Sequence, residues 1–205
     1  MTHIQITQST DDGRADIGLY GSEYSTTPFG WNNTYGMNIW LRFPNVNIPR
    51  RSIITSAYIT MVVQSKVGAG GAANIYAEDA VSPSYPTSLN DYNSRITTAS
   101  YVLWEVSAST GRVNSPSLTA VIQEIVNNYN CGSIQFLIKG VGSGQNFTGF
   151  RAVDFYPTDA ARFNVEYSPP TGGTGWLIGG PGKHPLISGP GKHPLVSCGG
   201  NALIG

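Results

Sequence analysis

The chain is poor in charge: Asp, Glu, Lys and Arg make up only 12% of its 205 residues, about half the usual share. That scarcity disfavours long solvated helices. Formal net charge is zero, and no run of Lys or Arg supplies the electrostatic footprint that a phosphate backbone requires. No apolar stretch approaches the roughly 20 residues that span a bilayer, and Met1-Thr2-His3-Ile4-Gln5-Ile6 alternates like a strand instead of forming a basic segment and apolar export core. Neither nucleic acid nor a membrane span is expected. The low charge and the Ser/Thr/Asn content suit an extracellular or virion-surface protein, its signal already removed or its exit by lysis. Histidine is scarce too, with three in all, which starves acid–base and nucleophilic catalysis of its usual base. The two cysteines, Cys131 and Cys198, make no disulfide framework. A bridge between them, within or between chains, and two free thiols both stay open.

What is abundant is Gly (25), Pro (13) and Tyr (11), the punctuation of short strands and many turns. His3–Thr7 reads as a first strand, followed by a polar turn over 9–13. Residues 20–38 show no period and read as a long loop carrying Tyr24, Phe29, Trp31 and Tyr35. Met37–Phe43 reads as a strand stopped by Pro44. Ile53–Val63 is apolar on both faces, with Ile53, Thr55, Ala57, Ile59 and Met61 alternating with Ile54, Ser56, Tyr58, Thr60 and Val62, and predicts a central strand. Residues 74–78, 101–106, 133–139 and 162–167 are further strands, and 82–93 is turn-rich.

One segment switches period. Leu118, Val121, Ile122, Ile125 and Val126 recur at helical spacing, with Pro116 at the start and Ser115 or Ser117 as the cap. This predicts one short α-helix over about 117–128. The whole predicts an all-β, jelly-roll-like two-sheet sandwich over residues 1–168, since each alternating strand must bury one face, and an extended C-terminal tail over 169–205.

The stretch Trp40-Leu41-Arg42-Phe43-Pro44-Asn45-Val46-Asn47-Ile48-Pro49, followed by Ile53, Ser56, Ala57 and Tyr58, resembles the opening of the DNRLRE-type domain, a carbohydrate-binding-module-like β-sandwich. Arg95-Ile96-Thr97-Thr98 before Trp104, and Ser115-Pro116, Leu118 and Gln123-Glu124-Ile125-Val126, follow the same order of elements. The similarity runs over about residues 4–167, without the family's naming hexapeptide and without a counterpart for the tail. It implies adhesion, carbohydrate binding or a structural role, and it implies no catalysis.

Sugar sites use flat aromatic faces on exposed loops, and Trp31, Tyr35, Tyr85 and Tyr92 are the candidates here, against the alternative that these rings simply pack on the sandwich ends. Asn32-Asn33-Thr34 and Asn146-Phe147-Thr148 fit the N-glycosylation pattern at Asn32 and Asn146. Asp11, Asp12, Glu78, Asp79, Asp154 and Asp159 are turn or edge residues, or a weak Ca²⁺ site. No other cofactor is indicated. Gly140-Val141-Gly142-Ser143-Gly144 lacks the spacing of a nucleophile elbow, so no enzyme is expected.

The tail carries a tandem nonapeptide. Gly180-Pro181-Gly182-Lys183-His184-Pro185-Leu186-Ile187-Ser188 is followed by Gly189-Pro190-Gly191-Lys192-His193-Pro194-Leu195-Val196-Ser197. Each Gly-Pro-Gly-Lys fits a type II turn, and His-Pro favours extended chain before it. Trp176, Leu177, Ile178, Leu186, Ile187, Leu195, Val196, Leu203 and Ile204 supply four apolar beads. All twelve acidic side chains precede residue 172, whereas the tail holds only Lys183 and Lys192. Fully extended at about 3.3 Å per residue, it reaches roughly 110 Å, well across a neighbouring domain about 40 Å wide. Docking on its own body and metal binding by His184, His193 and Cys198 are the alternatives. The leading expectation is a self-assembling structural subunit, a filament or virion appendage whose tail docks on adjacent copies by strand addition. The alternative is a carbohydrate-binding or adhesion module using the loop aromatics.

Overall fold

Apolar residues through Ile53–Val67 build the longest described strand, and the computed structural model, which describes residues 2–170 except 18 and 23, arranges twelve others around it. In chain order they are β1 (Thr2–Gln5), β2 (Asp12–Asp16), β3 (Leu19–Gly21), β4 (Thr26–Asn32), β5 (Tyr35–Met37), β6 (Ile39–Ile48), β7 (Ile53–Val67), β8 (Gly71–Ala77), β9 (Val102–Val106), β10 (Gly111–Asn114), β11 (Cys131–Val141), β12 (Gln145–Arg151) and β13 (Arg162–Ser168). Two helices join them, α1 (Leu89–Ser94) and the longer α2 (Thr119–Asn128), with a single 3₁₀ turn at Ser9–Asp11. The expected tail, with Trp176, Leu177, Ile178, Leu186, Ile187, Leu195, Val196, Leu203, Ile204 and Cys198, lies outside the described residues.

The strands form two antiparallel sheets packed as a sandwich, one of seven strands and one of six. In the first, β4, β12, β7 and β10 are successive neighbours; in the second, β6, β11, β8 and β9 are. This is jelly-roll order, in which the chain alternates between sheets and buries both inner faces. Phe29 stacks on Phe150 at 4.9 Å, and Phe163 contacts Phe136 at 5.3 Å and Phe43 at 5.6 Å, so aromatic rings from both sheets share one core.

The central strand is bordered differently along its length. Thr60 pairs with both Arg162 and Asn114, and Val63 with both Phe150 and Gly111. Because a strand residue has one partner per edge, β12 and β13 lie end to end along one edge of β7 and β10 along the other. The rest of that second edge is closed by the helical segment. Leu118 N–H donates to the Ala57 carbonyl at 2.8 Å, and Ser115 N–H to that of Ile59 at 2.8 Å. Gln123 then acts as one more peptide unit, its Oε1 accepting the Ile54 N–H at 2.9 Å and its Nε2 donating to the Ser52 carbonyl at 2.9 Å. These bonds cover an edge that would otherwise template aggregation. Val121, Ile122, Ile125 and Val126 of α2 are buried in the core, each contributing about 1.5–3 kcal/mol of transfer free energy.

Several expectations need correction. Residues 20–38 are not a loop but hold β3, β4 and β5, and Phe29 is fully buried. Pro28 and the glycines hid the period, and those glycines permit close strand approach: a Cβ on Gly30 would lie 2.4 Å from the Asn146 oxygen, and one on Gly140 2.1 Å from that of Gly30. Pro44 does not stop β6, because β2 pairs only with Ile39–Leu41 and Pro44 sits where β11 is the sole neighbour, a place a strand tolerates proline. The alternation of β7 breaks at Thr55, which has no partner between the pairs Glu166–Ser56 and Tyr167–Ile54. Ile54 therefore shares the core with Ala57, Ile59, Met61 and Val63, while Ile53 is exposed. The stretch 82–93 contains most of α1. The N-cap of α2 is Leu118, without a side-chain cap, because Ser115 Oγ instead accepts the Ile59 N–H at 3.0 Å.

Candidate functional site: a cleft beside the β4–β5 hairpin

The β4–β5 hairpin turns at Asn33 and Thr34, with Asn33 at a positive φ of 50°. Across it Trp31 pairs with Gly36 and Asn32 with Tyr35, so the two rings leave the ribbon on opposite faces near its tip. Asn32 Nδ2 donates weakly to the Tyr35 hydroxyl at 3.4 Å. Both Trp31 and Tyr35 border a cleft of about 290 Å³, completed by Ala15 and Ile17 at the end of β2, Asn38 before β6, and Leu89 and Asn93 of α1.

The cleft depends on how the outer face of the six-stranded sheet is covered. Trp40 and Leu137 project from that face with Ala15, and Tyr92 of α1 closes over them as a small separate core. The Tyr92 hydroxyl reaches the carbonyls of Ile39 and Ile138 at 3.3 and 3.4 Å, and burial drives its pKa well above the usual tyrosine value. Arg95 fastens the segment. Its guanidinium donates to Glu78 at 2.8 Å, to both Asp91 oxygens at 3.2 and 3.0 Å, and to the carbonyls of Ser84 and Tyr85. Glu78 is held in turn by Gln135 of β11 at 2.6 Å, and the Arg95 hydrogen bonds hold the Asp91 carboxyl below its usual range.

Beneath the cleft, the polar groups are already satisfied. Asn38 is bound at both ends, Oδ1 accepting the Gly140 N–H at 2.9 Å and Nδ2 donating to Ala15 at 3.3 Å. Asp16 is fully buried; its Oδ1 accepts the Asn38 N–H at 2.5 Å and its Oδ2 the Arg14 guanidinium at 2.7 Å. Burial raises the Asp16 pKa, against those bonds. By contrast, the Trp31 indole N–H and the exposed Asn93 carboxamide have no hydrogen-bond partner among the described residues.

Of the four aromatic candidates, Trp31 and Tyr35 both border this cleft, from opposite faces of the hairpin, and the other two lie elsewhere. Tyr85, 42% exposed, edges a different cleft of about 280 Å³ beside Tyr20 and Trp40. Tyr92 is fully buried and presents no face to a ligand; its helical position packs it on Trp40. Asn93 escaped sequence reasoning because only α1 carries it to the hairpin. A second aromatic group was also missed, the Tyr76–Tyr101 pair at 5.1 Å with Lys139 Nζ 5.4 Å from the Tyr76 ring, on the open part of the same sheet. Two open grooves of about 520 Å³ lie elsewhere, one beside Gly70, Glu105 and Asn146 and one beside Thr2, Glu166 and Pro169.

Most of the remaining candidates are held by neighbouring groups, although Asp11 Oδ2, Asp12 Oδ1 and Asp79 Oδ1 are buried with no hydrogen-bond partner among the described residues. Asn146 Oδ1 accepts the Ala69 N–H and its Nδ2 donates to Ser143, both at 2.8 Å, so this amide braces two turns. Asp11 pairs with Arg42 at 2.6 Å, Asp159 with Arg112 and Arg151, and Asp154 accepts from Ser9 at 3.2 Å. Burial pushes the Asp12 carboxyl up to about 7, Asp154 and Asp11 adding to the rise and the Val153 N–H opposing it. Among the described residues no group of three His, Cys, Asp or Glu is placed to hold a metal ion. His3 contacts Asn164 Oδ1 at 2.5 Å, with no nucleophile between them. Cys131 is a buried free thiol whose pKa burial raises to about 11. No described helix is long and apolar enough to cross a membrane. No family model matches the chain and no curated protein matches it, so the resemblance to DNRLRE-type domains rests on the quoted residues alone.

Proposed function

We propose that the sandwich is a non-enzymatic carbohydrate-binding or adhesion module acting at an extracellular or virion surface, with the Trp31–Tyr35 cleft as its sugar site. The observation that carries this reading is that two aromatic residues of one hairpin and an unpartnered carboxamide, Asn93, some 60 residues away in the chain, border the same concave surface. Sugars present apolar ring faces ringed by hydroxyls, and a small cleft of apolar walls with a few free polar groups suits them. Glycan-array binding by the full chain that is lost in Trp31→Ala is the expected result. An array without any binding would overturn it.

The tail favours a second reading, in which the chain also assembles with itself into a filament or virion appendage. The tandem nonapeptide offers repeated apolar beads and lysines, while the acidic side chains all precede it, and a head-to-tail contact of that kind propagates without closing. Deleting residues 172–205 is expected to leave monomers by sedimentation. Polymers that survive the deletion would remove this reading and leave the sugar site untouched.

A further inference from the structure

We infer that the Trp31–Tyr35 cleft selects uncharged sugar units and that Asn93 reads a neighbouring pair of their hydroxyls. This rests on the carbohydrate reading above and narrows its ligand class. Among the described residues, none of the side chains bordering the cleft carries a formal charge: the walls are Ala15, Ile17 and Leu89, and the polar groups are Trp31, Tyr35, Asn38 and Asn93. Asp16 and Arg14, which flank the wall residue Ala15 in β2, are paired with each other at 2.7 Å and cancel. The nearest cation along β11, Lys139, leans over Tyr76 instead.

A sugar carboxylate entering this cleft would shed hydration and find no cation, which is the costly way to bury a charge. Selectivity of this sort comes from leaving the wrong ligand unpaired. A neutral sugar meets the opposite situation. Asn38 is locked by Gly140 and Ala15 and cannot turn to a ligand. Asn93 is free to do so, and a carboxamide offers an acceptor and two donors side by side, the complement of adjacent hydroxyls that each donate and accept. Trp31 and Tyr35 add aromatic surface along the border of the same cleft. A volume of about 290 Å³ lies at the lower end of small-molecule sites, roughly 300–1,000 Å³, so the cleft takes one or two rings and not a long chain.

The test is calorimetric titration of the full chain with neutral oligosaccharides and with uronic-acid oligosaccharides of matched length. Neutral sugars are expected to bind about 10-fold or more tightly than uronates. Asn93→Ala, at an exposed position, should weaken neutral binding about 5-fold or more. Ile17→Lys places a cation at the rim, where Ile17 is 68% exposed, and should shift the ratio of neutral to uronate affinity toward the uronates. Uronates that bind as tightly as neutral sugars, and lose binding in Trp31→Ala, would overturn the selectivity and keep the sugar site. Neutral binding that is unmoved by Asn93→Ala would overturn the role of Asn93. Sugar binding lost in Tyr76→Ala but not in Trp31→Ala would overturn both the selectivity and the site.

Discussion

The six-stranded sheet has two unlike outer halves. Toward β2 and β6, Trp40 and Leu137 lie under Tyr92 and the segment that Arg95 fastens. Toward β8 and β9, Tyr101 and Leu103 stand 55% and 47% exposed, beside Tyr76 and Lys139. Both halves come from the same alternation in neighbouring strands, so alternation does not decide which half is covered. A single insertion between β8 and β9 decides it, anchored by one guanidinium and one phenol. The candidate cleft opens where that cover ends, between α1 and the β4–β5 hairpin.

Cutting the anchor tests this contrast most severely. Arg95→Ala leaves Glu78, 12% exposed at its side chain, without its cation, and loss of one partner of such a pair costs about 3–5 kcal/mol. The denaturation midpoint should fall accordingly, with Trp40 fluorescence shifting red as the cover lifts. An unchanged midpoint would show that Tyr92 packing alone holds the segment.

A pH titration sharpens the same contrast, since the buried carboxylates Asp11, Asp12 and Asp16 all belong to the covered end. The folded pKa of Asp12 is raised, from 3.8 to about 7. The folded state therefore binds the proton more tightly than the unfolded chain does. Its contribution is fully present below pH 3.8 and is lost as pH rises through about 7, an effect on the order of 4 kcal/mol. Asp12→Asn keeps an acceptor for the Val153 N–H and should flatten this dependence, so that the variant is the more stable protein at pH 8. Equal slopes in urea titrations between pH 5 and 8 would contradict the assignment.

The open half supplies the smallest effect. Tyr101→Ala removes an exposed ring and should change stability by less than about 0.5 kcal/mol, read from the same denaturation curves. A loss several times larger would mean that the Tyr76–Tyr101 pair supports the sheet much as the covered core does.

Local pattern sufficed for much of the body. The apolar runs at 53–63, 74–78, 101–106, 133–139 and 162–167 are strands β7, β8, β9, β11 and β13, and the 3.6-residue period is α2. Burial of a side-chain face leaves a period in the sequence, and short strands with one helix leave few architectures besides a sandwich. Trp31 and Tyr35 were legible as site candidates from residue type alone. Tyr85 and Tyr92 were equally legible, yet Tyr92 is core.

The sequence by itself thus determined that the body is an all-β sandwich, through alternation that each strand carries alone. Tertiary structure decided which aromatics face solvent, that β4 inserts beside β12, and that Asn93 borders the same cleft as Trp31 and Tyr35. Those outcomes depend on glycines that let distant strands approach, on a proline set where one edge is empty, and on Arg95 pinning a cover to a remote carboxylate. Each is a pairing between segments far apart in the chain, and a local period holds no record of its partner.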